Sequence, residues 1–204
     1  MCQHCTVARA ALLVALVALL GLPVLVAACS GSSPGPVSVP PPAPPQEAEL
    51  GWVESTAASG DRFVFRVERF AVTATGWSAH VAVTNATTAA FDVGTADEPL
   101  SRAFGVMVFR TGALDELKRR DLERDLPDLR RAATFDPALP DALAPGATWS
   151  GTISASGALP AGLWVRVVFG AFVPSGKMPD ALREQGVVDQ LTWITDHAYR
   201  LRAD

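Results

Sequence analysis

Cysteine stops at position 29. The three cysteines are Cys2, Cys5 and Cys29, so nothing beyond them can form an intramolecular disulfide or a thiolate metal site. Lysine is almost missing as well: only Lys118 and Lys177 stand among 17 basic residues. With 21 acids, a net charge of −4 and no basic cluster, the chain lacks the concentrated cationic surface that neutralises phosphates, which argues against a nucleic-acid partner. There is no His-Glu-x-x-His, no glycine-rich phosphate loop and no EF-hand ladder of acids, so neither a metal nor another cofactor is expected. Cys2-Gln3-His4-Cys5 has no second pair to complete a metal site. Beyond position 28 only two histidines remain, His80 and His197.

Long apolar runs are also rare, and the one present, over positions 10–28, carries the strongest signal in the chain. A short start with a single charge, Arg9, precedes it, and it closes on Val26-Ala27-Ala28-Cys29. Positive start, apolar middle and small residues before a cut form the order of a secretory signal. The closing tetrapeptide resembles the lipobox of bacterial lipoproteins. That resemblance implies a signal peptide over 1–28, transfer of a diacylglyceryl group to the Cys29 thiol, cleavage before Cys29, and anchoring through fatty acyl chains such as palmitate. The alternative is an uncleaved transmembrane anchor, because the run can span about 30 Å of hydrocarbon. Gly21 and Pro23 weaken that helix, and either reading puts the remainder on the extracytoplasmic face of the cell membrane.

Seven prolines fall in the twenty residues 30–49, interleaved with glycine and serine. Such a segment has too little apolar surface for a core and favours extended conformations, so residues 29–50 read as the lipidated cysteine and a tether. Gly31-Ser32-Ser33-Pro34-Gly35 matches the nucleophile-elbow pattern by letter, but a tether supplies neither the sharp strand-to-helix turn nor the histidine that the pattern requires.

Residues 51–204 are long enough to bury a core. Trp77, Ala79, Val81 and Val83 alternate with Ser78, His80, Ala82 and Thr84; Trp149, Gly151 and Ile153 alternate with Thr148, Ser150, Thr152 and Ser154. These are strands with one wet face. Phe63, Phe65 and Val67 change phase to Phe70 and Val72, which one extra residue near Glu68-Arg69 explains as a β-bulge. Residues 104–109 and 163–173 are apolar on both faces and need cover on both sides. In the second of these, Trp164, Val168 and Phe172 are expected to back onto Val165, Val167 and Phe169. The cover is assigned to an insertion at about 112–142, where Leu114, Leu117, Leu122, Leu126 and Leu129 spread over half a helical face and Pro127 ends the helix near Leu126. From Arg110 to Arg131 seven basic residues face six acids, which describes a solvated surface. A short second helix is expected over 179–185, with Gly186 as its stop. The fold class is therefore mainly β, an antiparallel β-sandwich with one helical insertion. Residues 143–151 and 162–170, with the strand ending in Asn85-Ala86-Thr87, resemble the strands of small immunoglobulin-like domains on bacterial surface lipoproteins. That resemblance implies a binding or accessory module and carries no catalytic residues.

His80 lies on the polar face of its strand, and Asp196-His197 are neighbours whose side chains diverge along a strand, so neither histidine is assigned a catalytic role. Asp92, Asp97 and Glu98 match no calcium-loop spacing. Asn85-Ala86-Thr87 is a glycosylation sequon by formula and a turn by context. Trp77 and Trp149 sit in core phase, whereas Trp52 and Trp164 do not. The expected function is a lipid-anchored, non-catalytic binding module with a protein or envelope-component partner and no ligand residues assigned. The alternative is a small cell-envelope hydrolase using His80 or His197.

Overall fold

The computed structural model describes residues 40–94 and 103–203. Cys29, the expected signal peptide over 1–28, the first part of the expected tether, Asp97 and Glu98 lie outside these residues. In chain order the elements are β1 (Gln46–Ser55), β2 (Arg62–Val72), β3 (Gly76–Ala86), β4 (Phe91–Val93), β5 (Gly105–Phe109), α1 (Leu114–Glu123), β6 (Arg130–Arg131) and β7 (Thr134–Asp136). They continue with β8 (Ala142–Leu143), β9 (Thr148–Ser156), β10 (Trp164–Pro174), α2 (Asp180–Glu184), β11 (Leu191–Ile194) and β12 (Tyr199–Arg200). One sheet has the order β1-β2-β3-β9-β7. The other has the order β6-β5-β10-β4-β8, with β11 and β12 also paired to β10, and every pairing is antiparallel.

The alternation read from the sequence sets the packing. Trp77, Val81, Val83, Trp149, Ile153, Val165, Val167 and Phe169 are all buried, and both sheets contribute to one core. Aromatic rings carry the contact between the sheets: Phe63 of β2 lies 4.9 Å from Phe172 of β10, and Phe65 lies 5.1 Å from Phe169. Phe104, fully buried, meets Phe135, Trp149, Phe169 and Phe172 edge-on. Such tilted and edge-on pairs add to the burial term.

The phase change in β2 is a bulge, with the register against β3 shifting between Val67 and Arg69. It widens toward the sheet edge. Between the rungs Ala79–Phe70–Ala48 and Val81–Val67–Trp52, the chain advances two residues on β3, three on β2 and four on β1. Gly51 takes φ +59 within this fan, a conformation that side chains resist. The fan twists edge strand β1 away from the flat geometry that recruits further strands.

Four expectations change. Phe172 belongs to the inner core and does not back onto Val165 and Phe169, because the β10–β11 register shifts between Phe169 and Phe172 and resets the alternation. Helix α1 stops at Glu123 without reaching Leu126: Arg124 adopts a left-handed conformation, φ 55 and ψ 36, and the Asp125 N–H donates to the Arg120 carbonyl, ending the helix before Pro127 acts. Within α1 Leu117 is buried while Leu122, five residues on and about 140° round the helix, is 86% exposed. Beyond α1 the segment is strand: β6 pairs with β5, β7 with β9 and β8 with β4. Finally, structure begins ahead of Gly51, since Ala43 is buried and β1 starts at Gln46.

Candidate functional site

β10 alternates Val165 and Val167 into the core, which turns Arg166 to the outer face of the second sheet. Arg166 is nevertheless fully buried. Its guanidinium donates to the carbonyls of Thr195 (2.7 Å) and Asp196 and to those of Gly112 (2.9 Å) and Ala113 (3.2 Å), and it lies over the Phe109 ring. Burial holds its pKa below the ordinary arginine value, while the charges of Asp196 and Glu54 oppose that shift.

Glu54 approaches the same turn from the other side. It falls on the inward phase of β1, and its side chain is 7% exposed. One carboxylate oxygen accepts from Trp193 Nε1 (2.7 Å) and the Asp196 N–H (2.9 Å). The other accepts from the His197 N–H (2.9 Å) and His197 Nδ1 (2.7 Å). Acid takes the N–H groups of the turn and base takes its carbonyls, so two buried charges are compensated through the backbone between them. At the far end of β1, Gln46 Oε1 accepts from Tyr199 Oη and the Arg202 N–H. The inward polar ends of the edge strand thus fasten β1 to the C-terminal segment.

His197 stacks on Trp52, with ring centroids 5.5 Å apart, and is half exposed. A carboxylate on Nδ1 fixes that nitrogen as the donor. Asp196 is not the partner, although the pair lies in the bend between β11 and β12 and not along a strand; the acid is Glu54, which the sequence reading did not single out. No hydroxyl among the described residues hydrogen-bonds the His197 ring. His80, on the outer face of the first sheet, has Nδ1 3.3 Å from Thr152 Oγ1 and Nε2 3.4 Å from Glu68 Oε2. The two histidines stand on different surfaces.

Trp164 is half-buried: Gly112 packs so closely that a Cβ there would sit 2.5 Å from its ring, and Arg200 lies 6.0 Å over it. Asn85 is fully buried. Its Nδ2 donates to the carbonyls of Ala89 (2.8 Å) and Leu143 (2.9 Å), while Oδ1 accepts from the Thr87 N–H (3.1 Å) and hydroxyl (2.7 Å). The sequon is therefore a structural turn with its amide inside the protein. No group of three or more His, Cys, Asp or Glu among the described residues is placed to hold a metal ion.

The concave surface of interest lies between α1 and the outer face of the second sheet. A cleft of about 350 Å³ is lined there by Met107, Leu117, Leu126 and Ile194 with Lys118, Asp121, Thr192, Trp193 and Asp196. Arg166 sets the position of α1, since the two carbonyls it holds, Gly112 and Ala113, begin that helix. No family model matches the chain, and neither a curated protein nor a solved structure shows significant similarity to it.

Proposed function

We propose that the protein is a lipid-anchored module on the extracytoplasmic face of the cell membrane. In this reading Cys29 is the first residue of the mature chain and carries the acyl groups, and a proline-rich spacer holds an immunoglobulin-like sandwich with a helical insertion clear of the lipid. The module binds a protein or envelope component without catalysis. The observation that carries the reading is Val26-Ala27-Ala28-Cys29 at the end of the only long apolar run. The two-sheet architecture and the cleft beside α1 support a binding role. Metabolic labelling with an alkyne analogue of palmitate tests it: label should enter the full-length protein and vanish in Cys29→Ala, and equal labelling of both would contradict the anchor.

The different-class reading is a small cell-envelope hydrolase. The observation in its favour is the 2.7 Å contact of His197 Nδ1 with Glu54, the acid–imidazole pairing that a general base uses. Turnover of an envelope ester or peptide that His197→Ala abolishes, with the fold intact, would replace the binding reading by this one.

A further inference from the structure

We propose that the end of the sandwich where the chain enters rests on the headgroups of anionic phospholipids, drawn there by Arg110, Arg130, Arg200 and Arg202. The inference rests on the lipid-anchor reading and adds which end of the domain meets the bilayer, and through what chemistry. Backbone pairing places the entering chain at that end. The Ala43 N–H donates to the Leu159 carbonyl (2.7 Å) and the Ala161 N–H to the Pro41 carbonyl (2.8 Å). The same β9–β10 connection holds the C-terminal segment, through the Gly162 N–H on the Leu201 carbonyl (3.0 Å). It also holds the β2–β3 turn, through the Gly157 N–H on the Thr75 carbonyl (2.8 Å). Pro41 follows Cys29 by twelve residues, a reach of about 37 Å if extended as polyproline. An anchor at Cys29 therefore brings this end within reach of the lipid surface.

Charge is divided along the sandwich. The segments that meet at the entry end, 40–46, 73–76, 109–113, 156–164 and 199–203, contain no Asp or Glu. They contribute Arg110, Arg200 and Arg202, and Arg130 joins them by donating to the Ala158 carbonyl (2.8 Å). All four arginines are exposed, and none forms a salt bridge among the described residues. Asp204, next in the chain, offsets one of them. Arg200 and Arg202 border a cleft of about 250 Å³ with Gly162, Leu201 and Ala203. The connections at the opposite end, 136–148 and 174–190, carry Asp136, Asp141, Asp180, Glu184 and Asp189 against Lys177 and Arg183. An anionic surface thus attracts one end and repels the other. The arginines lie far apart in sequence, and only the fold gathers them. A free phosphate would engage Arg200 and Arg202 alone; a lipid surface engages all four, and the tether leads to one. Acyl chains already secure the anchor, so the arginines govern orientation: the spacer keeps the domain clear of a neutral bilayer, and an anionic one draws its entry end down.

The test is hydrogen exchange on the full chain, extracted from membranes and placed in nanodiscs of phosphatidylcholine alone or with about 30% phosphatidylglycerol. In the anionic discs the amides of 157–163 and 199–203 should exchange at least about threefold more slowly than in the neutral ones, while those of 138–148 stay unchanged. Replacing all four arginines by Gln should erase the difference, replacing them by Lys should keep it, and exchange in neutral discs checks that each variant is folded. Equal exchange in the two discs, equal slowing of 138–148, or a difference that survives the Gln substitutions overturns the proposal. The same slowing in neutral discs on adding millimolar glycerol 1-phosphate overturns it in favour of a soluble phosphate site. Mass analysis of the N-terminal peptide on the same sample reads the anchor separately. An acylated chain with equal exchange loses only this surface, and an unacylated chain with the predicted slowing loses only the anchor.

Discussion

Arg166 and Glu54 are the two residues on which the C-terminal turn depends, and neither touches the other. Arg166→Met leaves the carbonyls of Thr195, Asp196, Gly112 and Ala113 without their donor and Glu54 without its compensating charge. The expected cost is about 3–5 kcal/mol, read as a lower urea midpoint with unchanged slope. Glu54→Gln keeps the shape but turns an amide donor toward two of the four N–H groups, and should cost about 2–3 kcal/mol. Because both act on one turn, the double variant should be less destabilised than the sum of the singles, by at least about 0.5 kcal/mol. Strict additivity would mean that the two clamps are independent. Asn85 is the third such residue, and Asn85→Ala should destabilise through the Leu143 carbonyl left unpaired inside the protein.

The elements show how far residue pattern determines structure. Strands β2, β3 and β9 of the first sheet, the bulge at Glu68 and the stop at Gly186 are legible because alternation and turn chemistry are local; edge strands β1 and β7 are not. The structure places α2 at Asp180–Glu184, with Pro179 as its cap and Gly186 at φ +88. The end of α1 is not legible, since a left-handed arginine has no sequence signature and Pro127 offers a later stop. Nor was the polar clamp: Arg166 interrupts an apolar strand and Glu54 sits in phase with Trp52, yet a single charge in a strand discloses its partner only when the fold brings the turn to it. The same logic separates two leucines. Leu117→Ala should cost about 2 kcal/mol, whereas Leu122→Gln should change stability by less than about 0.5 kcal/mol. Acid should loosen α1 selectively. Arg120 and Arg119 hold the Glu116 carboxyl below its ordinary 4.5, so its contribution is complete above that pH and is lost as pH falls through the lower folded value. Hydrogen-exchange protection of the α1 amides should therefore be flat from pH 6 to 8 and fall only as the pH drops below 4.5, ahead of β3 and β9.

At the scale of the whole molecule, two antiparallel sheets share one aromatic core, and the edge strand β1 is fastened at both ends to the C-terminal segment. Trp149→Ala or Phe169→Ala should cost about 3–5 kcal/mol, because each removes a ring from the contact between the sheets. The proposed anchor and tether would hold this body, with its α1 cleft, outside the membrane on a spacer whose prolines resist collapse. The most direct test of that arrangement is the mass of the N-terminal peptide of the mature protein, extracted from the membranes of cells expressing the full chain. The account predicts a peptide beginning at Cys29 and carrying two or three acyl chains. An intact peptide beginning at Met1 would contradict it.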